Sequence, residues 1–332
     1  MIVGNLYHIK QTNGLFYYGA DYLRACAGKV RKILVRPALV KAARAELPDI
    51  EVVACSFLDF VRQAVGASLR GDFLYTPTSH PLPGLSRQWI VIHDTYPFST
   101  GSKGRLKERL LRWSLATSDC RVAYINESDV LPFVAGLGVA ADRRIFAPNR
   151  FPSTPPATER HVLRGHLTVG LVGTDSAKKN YAALFEEVRR THSASQLRFQ
   201  AYGHATPYLS QLRKDFPDIE MELLESDLYS LEEFFARIDL LTSVATQEGF
   251  GRPLAAALLA GVPCLLLDRT VFREFFDPGA SFFPDPHAVV QALRAVAIDQ
   301  NLSAVTFRPP RKAVDAYTAA IDNLIRAGGA AT

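Results

Sequence analysis

No Cys-x-x-Cys pair occurs in the chain, and its four cysteines, Cys26, Cys55, Cys120 and Cys264, lie far apart. That spacing excludes a zinc ribbon and a disulfide framework, and leaves four small core residues suited to a reducing compartment. No apolar run approaches the ~20 residues that a membrane span requires. The first ten residues lack the basic-then-apolar order of a secretory signal. A cytoplasmic protein is therefore expected. Neither a Gly-x-Ser-x-Gly elbow nor a Gly-Lys-Ser/Thr loop is present, which argues against an α/β hydrolase and a P-loop ATPase. His80, His161, His166, His192, His204 and His287 are scattered without metal-ligand spacing. Zinc-finger spacing, a recognition-helix pattern and an aromatic-basic RNA motif are missing too, so no nucleic-acid partner is expected. No repeat with a solenoid period is found.

What is present is an ordinary globular composition of 332 residues, 48% hydrophobic and 21% charged. That length suits two domains, and the composition is too apolar for extended disorder. Charge is unevenly spread. Residues 1–150 hold 20 Lys+Arg against 12 Asp+Glu, a net of +8, whereas residues 151–332 hold 18 against 21, a net of −3. The first half either meets something anionic, such as phospholipid or a lipid diphosphate, or simply carries a solvated basic surface.

Short apolar runs alternate with helical patterns throughout. In the second half the strands are read at 167–172, 197–202, 219–224, 240–244, 264–267 and 281–283. In the first half they are read at 32–35, 52–55, 73–75, 89–93, 121–125 and 145–147. Runs such as 264–267 are apolar without alternation, as strands buried on both faces are. Strands of about five residues between helices of about ten predict parallel, doubly wound sheets. Pro148, Pro152, Pro155 and Pro156 among Ser and Thr mark a linker over 148–158. The expected fold class is therefore α/β, with two Rossmann-like domains facing each other across a cleft where ligands bind.

The stretch 247–263, Gln-Glu-Gly-Phe-Gly-Arg-Pro-Leu-Ala-Ala-Ala-Leu-Leu-Ala-Gly-Val-Pro, carries the chemistry. A strand enters a loop with Gly249 and Gly251, which let backbone approach a ligand closely. A helix then opens with Pro253 at its first position and stops at Gly261, with Pro263 beyond. The free N–H groups of such a helix start attract phosphate, although a tight strand-to-helix turn reads the same way.

These residues resemble those of the retaining, GT-B-fold glycosyltransferases of family 4. The family's Glu-Gly-Phe-Gly-x-Pro, helix and Gly-x-Pro segment corresponds to Glu248 through Pro263. Gly173 followed by Lys179-Asn180 is similar to its Gly-Arg-x-x-x-x-Lys element, and Arg273-Glu274-Phe275 to its downstream Glu. Pro148-Asn149, His93-Asp94 and the strand from Ser118-Asp119 to Asn126-Glu127 match in the right order, over about residues 72–285. The resemblance implies a GT-B enzyme with an acceptor-binding domain over 1–150 and a nucleotide-sugar domain over 151–308. Residues 309–332 form a terminal helix that could pack back on the first domain.

By the same resemblance Glu248 stabilises the anomeric carbon of a nucleotide sugar and Lys179 the leaving diphosphate. Gly249, Phe250, Gly251, Arg252, Gly173, Thr174 and Glu274 contact the donor, as do Asn13 and Gly14 in a loop near the amino terminus. His93 and Asp94 serve the acceptor, a saccharide or lipid-linked saccharide of surface polysaccharide biosynthesis. Two positions depart from the pattern. Ala256 stands eight residues after Glu248, where a second Glu normally binds ribose, and Thr174 stands where an Arg follows the glycine. Lys178 and Arg252 are near enough in sequence to compensate. A non-catalytic saccharide-binding or partner-supporting homologue is the alternative. Asp-x-Asp is absent, so Lys179 and helix dipoles replace a metal clamp, and neither metal nor cofactor is expected.

Residues 103–113 form a basic amphipathic pattern: Lys103, Arg105, Lys107 and Arg109 accompany a stripe of Leu106, Leu110 and Trp113. Such a helix either lies on an anionic membrane, placing the protein at the inner membrane face, or packs its apolar stripe on the sheet.

Overall fold

A computed structural model describes residues 1–99, 101–153, 165–299, 302 and 305–329. His161 and the part of the expected linker at 154–158 lie outside them. The chain divides into two compact units, Met1–Arg150 with Arg311–Thr332, and Phe151–Pro310.

The amino-terminal unit runs β1 (Ile2–Asn5), α1 (Gly14–Ala25), β2 (Val30–Val35), α2 (Val40–Glu46), β3 (Val52–Ala54), α3 (Phe57–Leu69), β4 (Phe73–Thr76), β5 (Gln88–Ile92), α4 (Tyr96–Ser99), α5 (Gly101–Ala116), β6 (Cys120–Tyr124), α6 (Val130–Gly136) and β7 (Arg144–Phe146). The sheet is parallel throughout, in the order β3-β2-β1-β4-β5-β6-β7. Its strands β1, β4 and β5 are buried along their whole length and mostly apolar, with Asn5, Thr76 and Gln88 as buried polar exceptions.

The other unit runs β8 (Leu167–Val172), α7 (Tyr181–Arg190), β9 (Leu197–Gly203), α8 (Pro207–Asp215), β10 (Met221–Glu225), α9 (Leu231–Phe235), β11 (Leu240–Ser243), α10 (Arg252–Leu259), β12 (Cys264–Leu267), α11 (Thr270–Phe276), β13 (Ser281–Phe283) and α12 (Pro286–Asp299). Its sheet is also parallel, ordered β10-β9-β8-β11-β12-β13. Leu167, Val169, Leu184, Phe185, Phe199 and Val289 pack one face of it.

The terminal helix α13 (Arg311–Gly329) belongs to the first unit. Arg87 Nη2 donates to Ala327 O at 3.0 Å, and the Tyr22 and Tyr317 rings meet at 4.9 Å. Gly328 lies so near β1 that a Cβ there would come within 2.6 Å of Ile2.

Two readings change. The strand β1, an inner strand paired with β2 and β4, is absent from the sequence-based set. Asn13 and Gly14 are not a free loop either: Asn13 caps α1, its Oδ1 accepting from Leu15 N at 3.1 Å and Phe16 N at 3.3 Å, and Gly14 is the first helical residue. An Asn before an apolar amphipathic run is favoured in that role because it satisfies otherwise orphaned helix N–H groups.

The helix α5 buries Gly104, Leu111, Ser114 and Leu115, whereas Leu106, Leu110 and Trp113 are 58%, 54% and 57% exposed. At 3.6 residues per turn the exposed stripe lies opposite the buried face, with Lys103 and Lys107 on one flank and Arg105 and Arg109 on the other. The stripe therefore does not pack on the sheet. No helix among the described residues is long and apolar enough to cross a membrane.

Candidate functional site

In the carboxyl-terminal unit the strand order reverses between β8 and β11, which are hydrogen-bonded neighbours. Open α/β sheets bind ligands beyond the carboxyl ends of strands at such a reversal. The loops leaving these two strands hold the residues the sequence singles out.

Thr246 joins the loops: its N–H donates to Lys178 O at 3.0 Å and its Oγ1 to the same oxygen at 3.3 Å. This seats Lys179 Nζ 2.8 Å from Glu248 Oε2, across 69 positions of sequence, with the two side chains 18% and 19% exposed. Burial acts to raise the Glu248 carboxyl, but Lys179, Lys178 and the Gly249 backbone outweigh it and hold the group below the usual carboxylate range. Lys178 thus supplies a second positive charge close to Glu248.

Gly173 directly follows β8 with φ +90°, and a Cβ there would lie 2.7 Å from Lys179 Cε. The glycine leaves the passage through which the lysine stem reaches Glu248. Gly173→Ala is expected to strain a left-handed backbone by about 1–2 kcal/mol and to push Lys179 off Glu248. A thermal melt reads the first effect, and a shift in the acid-unfolding midpoint reads the loss of Lys179 from Glu248. Tyr181, fully buried, donates its hydroxyl to Val172 O at 2.8 Å and braces the same turn.

Thr174 is buried, and its hydroxyl donates to His204 O at 2.6 Å while Thr206 Oγ1 donates to Thr174 O. Its side chain thus ties the loop after β8 to the loop after β9. Ala256 is also buried, within the run Leu254–Leu258 of α10 that is buried throughout.

Gly251, at φ +86°, caps α10, and its carbonyl accepts from Leu254 N at 2.9 Å and Ala255 N at 3.1 Å. The helix begins at Arg252, one residue before the Pro253 start read from sequence, and Gly261 closes it at φ +76°. Phe250 is an anchor: its buried ring meets Phe275 at 4.8 Å, Phe151 at 5.1 Å and Phe276 at 5.8 Å. This fixes the backbone on either side of it. Glu274 lies half-buried on α11, between the buried Phe272 and Phe275.

Sequence reasoning gave no role to Gln247. Its Oε1 is buried and accepts no hydrogen bond from the described residues, directly beside Glu248. A buried acceptor of this kind is costly unless a donor arrives, so the loop offers an unfilled position to a hydroxyl or N–H.

The remaining candidates sit in the amino-terminal unit. His93 follows β5, with Nε2 3.0 Å from Pro77 O and its ring edge-on to Tyr18 at 4.5 Å. Asp94 beside it is half-buried. Asn13 and Gly14 form the head of α1, as described above. Among the described residues no group of three or more His, Cys, Asp or Glu side chains is placed to hold a metal ion.

No protein-family model and no curated protein matches the sequence. Solved structures do match the fold. HepE of Anabaena, in complex with UDP and glucose, superposes with a TM-score of 0.68 at 14% identity, over 98% of this chain and 97% of that one. The sucrose-phosphate synthase of Thermosynechococcus elongatus gives 0.68 at 12% identity, over 99% and 94%. WaaG, a glycosyltransferase involved in lipopolysaccharide biosynthesis, gives 0.61 at 13% identity, over 100% and 96%. With its two parallel, doubly wound sheets, the chain has the GT-B fold.

Proposed function

We propose that the protein is a retaining glycosyltransferase that moves a hexose from a nucleoside diphosphate sugar to a saccharide or lipid-linked saccharide in surface polysaccharide biosynthesis. The observation that carries this reading is the Lys179–Glu248 pair at the strand reversal, 2.8 Å apart, beside the glycine-capped head of α10. The UDP and glucose bound by HepE, and the lipopolysaccharide role of WaaG, belong to proteins of the same fold and agree with it.

In the proposed reaction the bond from the anomeric carbon to the diphosphate oxygen breaks, and a bond to the acceptor oxygen forms on the same face. The hydroxyl proton passes to the departing diphosphate. Lys179 and Lys178 bear the charge developing on that diphosphate, joined by the N–H groups from Gly251 onward. Glu248 stabilises positive charge on the sugar, and Gln247 Oε1 accepts from a sugar hydroxyl. Arg252 and Glu274 are assigned to the nucleotide, and His93 and Asp94 to the acceptor. Gly173 and Thr174 shape the donor pocket through the loops they hold. Asn13 and Gly14 offer the amino end of α1 to the donor.

The exposed stripe on α5 adds a second element. We propose that it rests on an anionic membrane at the cytoplasmic face, Leu106, Leu110 and Trp113 entering the interface and the flanking cations meeting lipid headgroups.

Titration with UDP, GDP and ADP, read by thermal shift, tests the donor reading. One of the three is expected to raise the melting temperature, because a ligand at 100 times its Kd adds about 2.7 kcal/mol. Silence with all three would favour the non-catalytic homologue, in which buried Ala256 and engaged Thr174 leave the nucleotide too few contacts.

A further inference from the structure

The amino-terminal sheet has a strand reversal of its own, between β1 and β4. The chain leaving β1 carries His8 and the chain leaving β4 carries Thr78 and His80. The two imidazoles stack there, centroids 4.7 Å apart and planes 12° from parallel. His80 Nδ1 lies 3.1 Å from Thr78 Oγ1. His8 packs edge-on against Phe60, with its Nε2 buried and without a partner among the described residues.

Two cations act on this pair. Arg36, which follows β2, donates from Nε to Tyr7 O at 2.9 Å and lies over the Tyr7 ring at 4.7 Å. That uses one of its three nitrogens. The terminal two bond to nothing among the described residues, although the side chain is half-buried. Lys107 of α5 is near enough to act on His80 and forms no ion pair among them. The permanently charged groups acting on the imidazoles are thus both positive: Arg36 on His8, and Lys107 on His80. Burial, then these charges, hold His8 down to about 4, so it is neutral at physiological pH.

We propose that His8, His80, Arg36 and Lys107 form a binding site for a phosphoryl oxyanion at the carboxyl edge of the amino-terminal sheet. Four elements deliver donors to one place, and no described carboxylate neutralises them. A phosphomonoester or diphosphate presents enough terminal oxygens, in three dimensions, to accept from the guanidinium, an imidazole and the ammonium together. A dianion also balances the two unpaired cations, as a planar carboxylate does not. Binding favours the protonated imidazole, so it draws His8 upward in pKa. The site is independent of the Lys179–Glu248 pair and of any nucleotide.

The test follows the imidazole resonances of the full chain by NMR while sn-glycerol 3-phosphate, or vesicles containing phosphatidic acid, are added in the absence of nucleotide. The expected result is a shift at His8 and His80, with the His8 midpoint rising by about one unit, the coupling of a nearby charge. A response to the soluble phosphate identifies a free phosphate ligand. A response to phosphatidic acid vesicles alone identifies a lipid headgroup. Vesicles held only through the apolar stripe of α5 leave these resonances in place. Arg36→Gln should weaken the response about tenfold, and His80→Gln, at an exposed position, provides a second variant should the first fold poorly. Unmoved imidazoles with both probes, or equal binding by both variants and the natural chain, would overturn the site.

Discussion

Under the proposed reaction, Lys179→Ala is expected to slow sugar transfer by about 10²–10³, the range for removing one preorganised donor from a developing oxyanion. The effect should fall mainly on kcat, because the charge on the diphosphate grows as the sugar bond breaks. Glu248→Ala removes the other member of the pair, and a loss of at least about tenfold is expected. Neither change should unfold the chain, since both side chains lie at the sheet edge and retain some solvent contact. Acid titration supplies an independent reading. Glu248 is held below its ordinary value in the folded chain, so the stability it contributes is complete above the usual carboxylate range and disappears as pH falls through the folded value. Without Lys179 the folded value rises, and acid unfolding of Lys179→Ala should begin at higher pH than that of the natural chain. Normal turnover in either variant would remove that residue from the mechanism. Inactivity of the natural chain with every nucleotide sugar would favour the non-catalytic reading.

The doubly wound architecture was legible because its strands are short, buried on both faces and separated by amphipathic helices. The strand β1 escaped because Ile2–Asn5 contains Gly4 and Asn5, residues poor in strands. Tertiary packing explains both. A Cβ at Gly4 would sit 2.9 Å from the Leu23 methyl groups, and Asn5 Nδ2 donates to Thr76 Oγ1 at 3.0 Å inside the sheet. Glu248 and Lys179 could be paired only through a family resemblance, since nothing local records the contact across 69 positions. The cap made by Asn13 was open to sequence reasoning. The His8–His80 stack was not, because adjacency of β1 and β4 creates it and no spacing motif announces it.

The case of α5 shows where a sequence pattern stops short. Its periodicity displays an apolar stripe, yet the buried side is another one, where Gly104 approaches Phe98 of α4 so closely that a Cβ would lie 2.5 Å from the Phe98 carbonyl oxygen. Leu111 and Leu115 complete that buried face, and Leu106, Leu110 and Trp113 are left in water. Three large apolar side chains in one exposed row, with basic residues on both flanks, complement an anionic interface. Each cation near such a surface contributes about 1 kcal/mol, so the four together favour binding by about 4 kcal/mol, close to a thousandfold. Replacing Lys103, Arg105, Lys107 and Arg109 with Glu reverses the charge as well as removing it. This variant should be released from vesicles rich in phosphatidylserine under conditions where the natural chain sediments with them. Raising the salt should weaken the natural chain's binding in the same direction. Leu106→Ser with Trp113→Ser isolates the apolar share: it should lower binding to the same vesicles while keeping the salt dependence. Equal sedimentation of the natural chain and the four-Glu variant would show that α5 takes no part in membrane contact.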